Sequence, residues 1–364
     1  MQLPIETALP THLLASRPPD WPEPEALGFG QYLGAYLVES QHLEGGGWSA
    51  PCLTPRTASS AAIAGGAVQY ALSVFEGAKA YRDARGGLHL FRPLDHVARL
   101  QASARRLCLP EPPTELCLQL FDLAVQMHAA LIPPYGRGSL YLRPTVFADE
   151  ECLGLRPARR HRLSIVVTPC SDPLLKRLRL WAEPEFIRAA PGGLGAAKTG
   201  ANYAAGLSGL VRARERGYDD VVWLDAHTHT QLGEAGTMNL FVQIGDEVLT
   251  PPLDGTILAG ITRDSVVQWL RAQGITVLER TITLDDLRNA RLAGTLGTAF
   301  GTGTAVRVTL IESIGDGEHE LQFTDTGLAA NVSRALKQIQ EGGDRQYAHW
   351  LTPVVDPLAL EAAA

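Results

Sequence analysis

Lys198 and Glu234 are the residues of this chain whose surroundings point to covalent chemistry rather than packing. Lys198 follows Gly192-Gly193-Leu194-Gly195-Ala196-Ala197 and precedes Thr199-Gly200-Ala201-Asn202-Tyr203. Small neighbours allow close approach to a side-chain amine. A lysine whose neutral form is accessible attacks carbonyl carbon to give an imine. Glu234 lies in a second glycine-containing run, Gly233-Glu234-Ala235-Gly236-Thr237-Met238-Asn239-Leu240-Phe241. An amine, a phenol at Tyr203 and a carboxylate together suit imine chemistry.

A phosphate loop is the competing reading. Gly192 to Thr199 is one residue from that pattern, and Val221-Val222-Trp223-Leu224-Asp225 could serve as its magnesium-binding strand. Such a loop has glycine before its lysine and follows directly from an apolar strand. Here Ala197 stands in the glycine position, and Phe186-Ile187-Arg188-Ala189-Ala190-Pro191 interposes a charge and a proline. His227-Thr228-His229 offers two imidazoles, but no third ligand stands at suitable spacing. It reads as an exposed turn, and no metal is expected.

The elements that must position these residues can be read from periodicity and turn chemistry. Residues 1–30 are proline-rich and read as an extended arm. Gln31 to Val38 is strand-like, and Ala78 to Arg82 with Leu88 to Phe91 reads as two strands joined by a turn at Asp83 to Gly87. Leu94, Val97, Leu100, Ala104 and Leu107 recur every three or four residues, predicting a helix from Pro93 to Leu109. Thr114 to Leu131 predicts another, with Thr114 as N-cap. Ser139 to Pro144 reads as a strand that ends at its proline. Further on come a helix from Tyr203 to Arg216 stopped by Gly217, strands at Asp220 to Asp225 and Asn239 to Ile244, and a helix from Ile261 to Ala272 entered from Gly260. The expected organisation is an N-terminal domain over 1–168, a linker or lid at 169–179, and a C-terminal domain over 180–364 that carries the lysine. The last residues, Leu358 to Ala364, are expected to be disordered.

Composition bounds the class. At 364 residues the chain is long enough for about two domains. A net charge of -7 argues against a general nucleic-acid binder. The five cysteines, Cys52, Cys108, Cys117, Cys152 and Cys170, are odd in number and have no C-x-x-C spacing. That fits a reducing compartment, with the cytoplasm as the default. Met1 to Glu6 lacks the basic and apolar regions of a signal peptide, and no apolar run is long enough to span a membrane.

Several segments, in this order, resemble the branched-chain amino acid aminotransferases of the fold-type IV group. They are Ser73-Val74-Phe75-Glu76-Gly77-Ala78-Lys79-Ala80-Tyr81, Leu90-Phe91-Arg92-Pro93, Ser139 to Pro144, Ala196 to Tyr203, Glu234 to Phe241, Leu258-Ala259-Gly260-Ile261-Thr262-Arg263 and Phe300-Gly301-Thr302-Gly303-Thr304-Ala305. The resemblance covers about residues 30 to 354. It implies a mixed α/β fold of two domains with pyridoxal 5'-phosphate bound at their interface. It implies transfer of an amino group between branched-chain or similar hydrophobic L-amino acids and 2-oxoglutarate.

Residue by residue, the resemblance makes Lys198 the imine-forming and proton-moving residue. It sets Glu234 against the pyridine nitrogen and Tyr203 on the phenolic oxygen. Arg99, Ile261, Thr262 and Thr304 would hold the phosphate. A helix start favours an anion on physical grounds as well. Tyr141 and Arg143 would recognise carboxylate, and being two apart on a strand they share a face. Thr304 and Ala305 would offer N–H groups to the substrate α-carboxylate, with Tyr70 and Phe75 as pocket walls. Leu153 and Leu155 match residues given by a neighbouring subunit, which implies a homodimer or higher homo-oligomer. Without the resemblance, the apolar and aromatic members of this set read as core, and the arginines around Arg99 as a solvated face.

The chain departs from the family pattern in places. Thr168 to Arg177, the loop expected over the substrate, is basic and has no aromatic residue. Val306 and Thr309 stand where some relatives carry a redox C-x-x-C, and Ala201 replaces a common glycine. D-amino acid aminotransferase and aminodeoxychorismate lyase share the chemistry and are the nearest rivals. A phosphate-loop nucleotide binder, and a relative that keeps the fold without the activity, are the others.

Overall fold

A computed structural model describes residues 3–4 and 14–358. Part of the expected N-terminal arm, and the expected disordered end beyond Leu358, lie outside the described residues. The chain divides into two compact units, Met1–Pro173 together with Gln338–Ala364, and Leu174–Lys337. The stretch from Gln338 onward therefore belongs with the first unit rather than with 180–337. Its strand Leu351–Val354 pairs antiparallel with Leu88–Phe91.

The first unit is built on one antiparallel sheet. Its strands run in the order Cys52–Pro55, Tyr36–Leu43, Arg160–Ser171, Gly138–Ala148, Ala78–Arg82, Leu88–Phe91 and Leu351–Val354. Ser73–Phe75 pairs with the far end of Gly138–Ala148. The helices Pro93–Arg106 and Thr114–Met127 bury Val97, Leu100, Ala104, Leu120, Phe121 and Ala124 in one cluster with Leu140, Leu142, Leu163 and Ile165 of the sheet. Burial of this many large side chains, at about 1.5–3 kcal/mol each, holds the unit together.

Several sequence expectations need correction here. The strand does not end at Pro144 but runs from Gly138 to Ala148. The Pro144 carbonyl accepts the Glu76 N–H, so the side of the strand that lacks a proline N–H faces the Glu76–Gly77 step between two short strands. There a missing donor leaves the ladder intact. Thr114 is the first helical residue rather than the cap, which is Pro113. Leu94, expected on the buried stripe, is exposed in the first turn. The strand expected at Gln31 to Val38 is displaced to Tyr36–Leu43.

The second unit carries a mixed sheet in the order Leu232–Ala235, Asp220–Leu224, Arg177–Glu183, Arg307–Gly315, Leu296–Gly303, Asn239–Ile244, Glu247–Thr250 and Thr276–Glu279. Arg177–Glu183 pairs in parallel with both of its neighbours. Of the 169–179 stretch, Pro169 to Ser171 finish one strand and Arg177 to Arg179 begin another, so only 172–176 lie outside strands. Helix Gly200–Glu215 lies against the Trp223 indole. Gly206 and Gly209 make this possible, since a Cβ on Gly209 would come within 2.7 Å of the ring. Asp225 organises the following turn by accepting the N–H groups of His227, Thr228, Thr230 and Gln231, which leaves His227 and His229 in a turn. Among the described residues, no helix is long and apolar enough to cross a membrane.

Candidate active site

In the second unit the lysine loop spans the 16 residues between Glu183 and Gly200, with no apolar strand leading directly into Lys198. That context departs from a phosphate loop. The loop is shaped by side chains that grip its backbone. Asn202 Nδ2 donates to Leu194 O at 2.9 Å and to Ala197 O at 2.8 Å. Gly195 packs on the Thr256 backbone with no room for a Cβ. Arg188 donates to Gly195 O and Thr256 O. The lysine's position is thus set by groups on both sides of it in sequence.

Lys198 Nζ donates to Tyr203 Oη at 2.8 Å. Both line a cleft of about 170 Å3 together with Glu234, Arg188, Trp223 and Leu258. Glu234 is 4 % exposed, and a carboxylate is buried at such a position only with partners. Leu258 N–H donates to its Oε1 at 2.8 Å, and Arg188 Nε stands 3.3 Å from its Oε2. The anion is therefore held in place at the cleft wall.

The phosphate candidates of this unit are reached through Leu258. Asn239 Nδ2 donates to Leu258 O at 2.9 Å, and a Cβ on Gly260 would run into Asn239 Oδ1. This fixes the turn that starts helix Ile261–Ala272, whose N-cap is Gly260 without a side-chain cap. The first N–H groups of a helix have no partner within it, so Ile261 and Thr262 sit where an anion is favoured. Thr304 and Ala305 lie in the turn after strand Leu296–Gly303, and Arg307 closes that turn with φ 59°.

In the first unit, Tyr141, Arg143 and Phe75 come together. Arg143 Nη2 donates to Tyr141 Oη at 3.0 Å, and the guanidinium lies 4.6 Å from the Phe75 ring centroid. Arg143 Nε is buried without a hydrogen-bond partner among the described residues. Phe29, which sequence reasoning missed, sets its ring edge on Tyr141 at 4.9 Å. Tyr70 stands elsewhere and donates to Leu153 O at 2.5 Å, with Leu153 and Leu155 exposed.

Arg99 is not a solvated residue. Its Nε and Nη2 donate to Glu76 at 2.6 and 2.8 Å. His96 Nδ1 lies 2.9 Å from Glu76 Oε2. Burial works to raise the Glu76 pKa, but the charge and hydrogen bonds of Arg99, helped by His96, hold it far below the usual carboxylate range. Burial pushes the His96 pKa down.

Sequence reasoning also missed Arg188, Asn202 and Asn239 as site-shaping residues. Arg188 is visible in sequence only as an interruption, because its role appears once Gly195, Thr256 and Glu234 converge on it. The signal for Asn202 lay in its place four residues after the lysine, in the first turn of the helix that follows the loop.

The amino-transferase class IV family model matches residues 73–314. Branched-chain-amino-acid transaminase 1 of Bacillus subtilis is 40% identical over 292 residues, covering 79% of this chain and 82% of that one. A branched-chain aminotransferase structure from Thermoproteus uzoniensis with norvaline superposes with a TM-score of 0.72 at 26% identity, covering 87% of this chain and 100% of that one. The branched-chain amino acid aminotransferase of Thermobaculum terrenum in its PLP-form has the same fold, with a TM-score of 0.71, 22% identity, and coverage of 89% and 100%. The chain belongs to the class IV aminotransferases and, within them, to the branched-chain amino acid aminotransferases.

Proposed function

We propose that this chain moves amino groups between branched-chain or similar hydrophobic L-amino acids and 2-oxoglutarate with pyridoxal 5'-phosphate as cofactor. The observation that carries the reading is the Lys198–Tyr203 hydrogen bond in a cleft whose wall holds the Glu234 carboxylate. An amine, a phenol and a buried anion are the donor set this cofactor requires, so the residues fit it. When bound, the cofactor supplies an electron sink for the carbanion left when a proton leaves the substrate Cα.

Lys198 would hold the cofactor covalently, and its free amine would carry the Cα proton. The Tyr203 hydroxyl orients the amine. Glu234 presents its charge to the ring nitrogen and keeps that nitrogen protonated, while Arg188 and the Leu258 N–H fix the carboxylate's direction. The N–H groups of Ile261 and Thr262, with Thr304 and Arg99, take the phosphate. Thr304 and Ala305 offer the substrate α-carboxylate its backbone donors.

Phe75, Tyr141 and Arg143 form one substrate wall. Arg143 stacks on Phe75 and has no carboxylate partner among the described residues, which suits it to meet the second carboxylate of 2-oxoglutarate. Tyr70, which bonds Leu153 O, is proposed as a further pocket wall, and Leu153 and Leu155 as residues given to a neighbouring subunit's pocket. Supporting a homodimer, Ile63, Leu153 and Leu155 are 74%, 62% and 75% exposed, while Cys152 N–H bonds Ala64 O and ties their two segments into one apolar patch. The five cysteines are free thiols, which supports a cytoplasmic setting.

An amino-donor screen with 2-oxoglutarate over L- and D-amino acids tests the reading. Purified protein should be yellow, and borohydride should fix the cofactor to Lys198. Colourless protein that binds ATP and magnesium would sink the assignment. Activity with D-alanine alone would overturn the substrate class.

A further inference from the structure

Thr302 carries a hydroxyl for which the fold of the second unit provides no partner. Its side chain is 1 % exposed, and its Oγ1 makes no hydrogen bond among the described residues. A buried hydroxyl left in this way costs on the order of 1–3 kcal/mol. Valine would fill the same strand position with the same branching and without that cost.

The sheet register says where this side chain lies. Thr302 is the direct antiparallel partner of Asn239 on one side and of Val308 on the other. Direct partners share a face of the sheet. Asn239 uses that face to bond Leu258 O and to press on Gly260. Thr302 therefore stands on the face that meets the start of helix Ile261–Ala272. That helix is 12 residues long and begins without a side-chain cap. Thr302 also lies two residues before Thr304, at the end of the strand that enters the Thr304–Ala305 turn. An uncapped helix start and a buried orphan donor face one place, and an anion with several acceptor oxygens satisfies both.

We propose that the Thr302 hydroxyl is a further ligand of the cofactor phosphate, donating to the group that the Ile261 and Thr262 N–H groups hold. The inference rests on the reading that places pyridoxal phosphate in this unit. It adds a residue that positions the cofactor through its phosphate without touching the reacting atoms.

The test compares wild type, Thr302→Val and Thr302→Ser as cofactor-free proteins. Each is titrated with pyridoxal phosphate, pyridoxal and inorganic phosphate, followed by absorbance or calorimetry, and melted without ligand. A hydrogen bond to a charged group predicts that Thr302→Val weakens pyridoxal phosphate binding by about 10-fold or more. Pyridoxal affinity stays unchanged, inorganic phosphate weakens in parallel, and Thr302→Ser restores the wild-type value. The ligand-free Tm of Thr302→Val stays level with wild type or rises, which excludes misfolding as the cause. Thr302→Val that binds pyridoxal phosphate like wild type, or loses pyridoxal equally, overturns the inference. Wild type that binds neither compound overturns the cofactor reading itself, and this assignment with it.

Discussion

Glu234 and Glu76 are both buried carboxylates beside an arginine, yet they are held in different ways. Both oxygens of Glu76 face one guanidinium, with His96 on the same carboxylate, and the group is fully enclosed. The two oxygens of Glu234 face different partners, the Leu258 N–H and Arg188, at the wall of a cleft. The first arrangement closes on itself and fixes the fold around it. The second holds an anion in position while the cleft beside it admits a ligand. Buried ion pairs that close on themselves add little net stability but are costly to break. A carboxylate aimed into a cleft is costly to the chemistry when removed. Breaking the Glu76 pairing should therefore cost stability, and breaking the lysine cleft should cost activity.

The largest expected effect breaks the chemistry alone. Lys198→Ala should lower transamination by about 10⁴-fold or more, since both the covalent partner and the proton carrier are gone. Lys198 is only half-buried, so the melting temperature should barely move. Steady-state rates and thermal melts of one preparation check both halves. A variant within tenfold of wild type would remove the cleft from the reaction.

In the antiparallel unit the expected loss includes stability, because Arg99 neutralises Glu76 besides its proposed place on the phosphate. Arg99→Met leaves the Glu76 charge buried and uncompensated, at a cost of about 3–5 kcal/mol in denaturant unfolding. Glu76→Leu combined with Arg99→Met should recover much of that loss, because no charge is stranded. A single variant as stable as wild type would dissolve the contrast between the two carboxylates.

Acid sharpens the comparison further. The histidines whose pKa burial lowers, His42, His89, His96, His128 and His161, all lie in the antiparallel unit. His128 and His161 are pushed down to about 4, chiefly by burial. Their folded values lie below the unfolded value of about 6.5, so the unfolded chain binds more protons between the two. Stability is full above about pH 6.5 and falls as the pH drops toward about 4. His161→Gln should flatten that slope in urea melts taken at several pH values. A slope unchanged by the substitution would show that the loss arises elsewhere.

What the sequence revealed follows the same division. Lys198, Tyr203 and Glu234 stand in glycine-flanked motifs, where the small residues themselves announce that something must approach. The helix at Ile261–Ala272 was legible from Gly260 and the periodicity behind it. The residues that hold these groups were not. Arg188 reaches Thr256 across 68 positions, and Asn239 reaches Leu258 across 19. No local pattern encodes such reach. The resemblance made Arg99 a phosphate ligand, but without it Arg99 reads as a solvated helical residue, because its partner Glu76 lies 23 positions away in the step between two strands. Pro144 read as a strand end because propensity is local, while the gap that tolerates it belongs to the neighbouring strand.

The smallest effect tests a third arginine, which follows neither rule. Arg143 shares the antiparallel unit with Arg99, but its contacts are Tyr141 Oη and the faces of Phe75 and Tyr141, with Nε buried and unpartnered among the described residues. Removing it strands no carboxylate, so stability should change little. A charge-assisted hydrogen bond to substrate is worth about 1.5–3 kcal/mol, or roughly 10–100-fold. Arg143→Gln should raise the KM for 2-oxoglutarate by that factor and leave the KM for an apolar amino donor within a few-fold. The difference between the two substrates is the informative quantity, because a general loosening of the wall would weaken both. Equal weakening would make Arg143 part of the wall's shape, with no charge contact to the substrate.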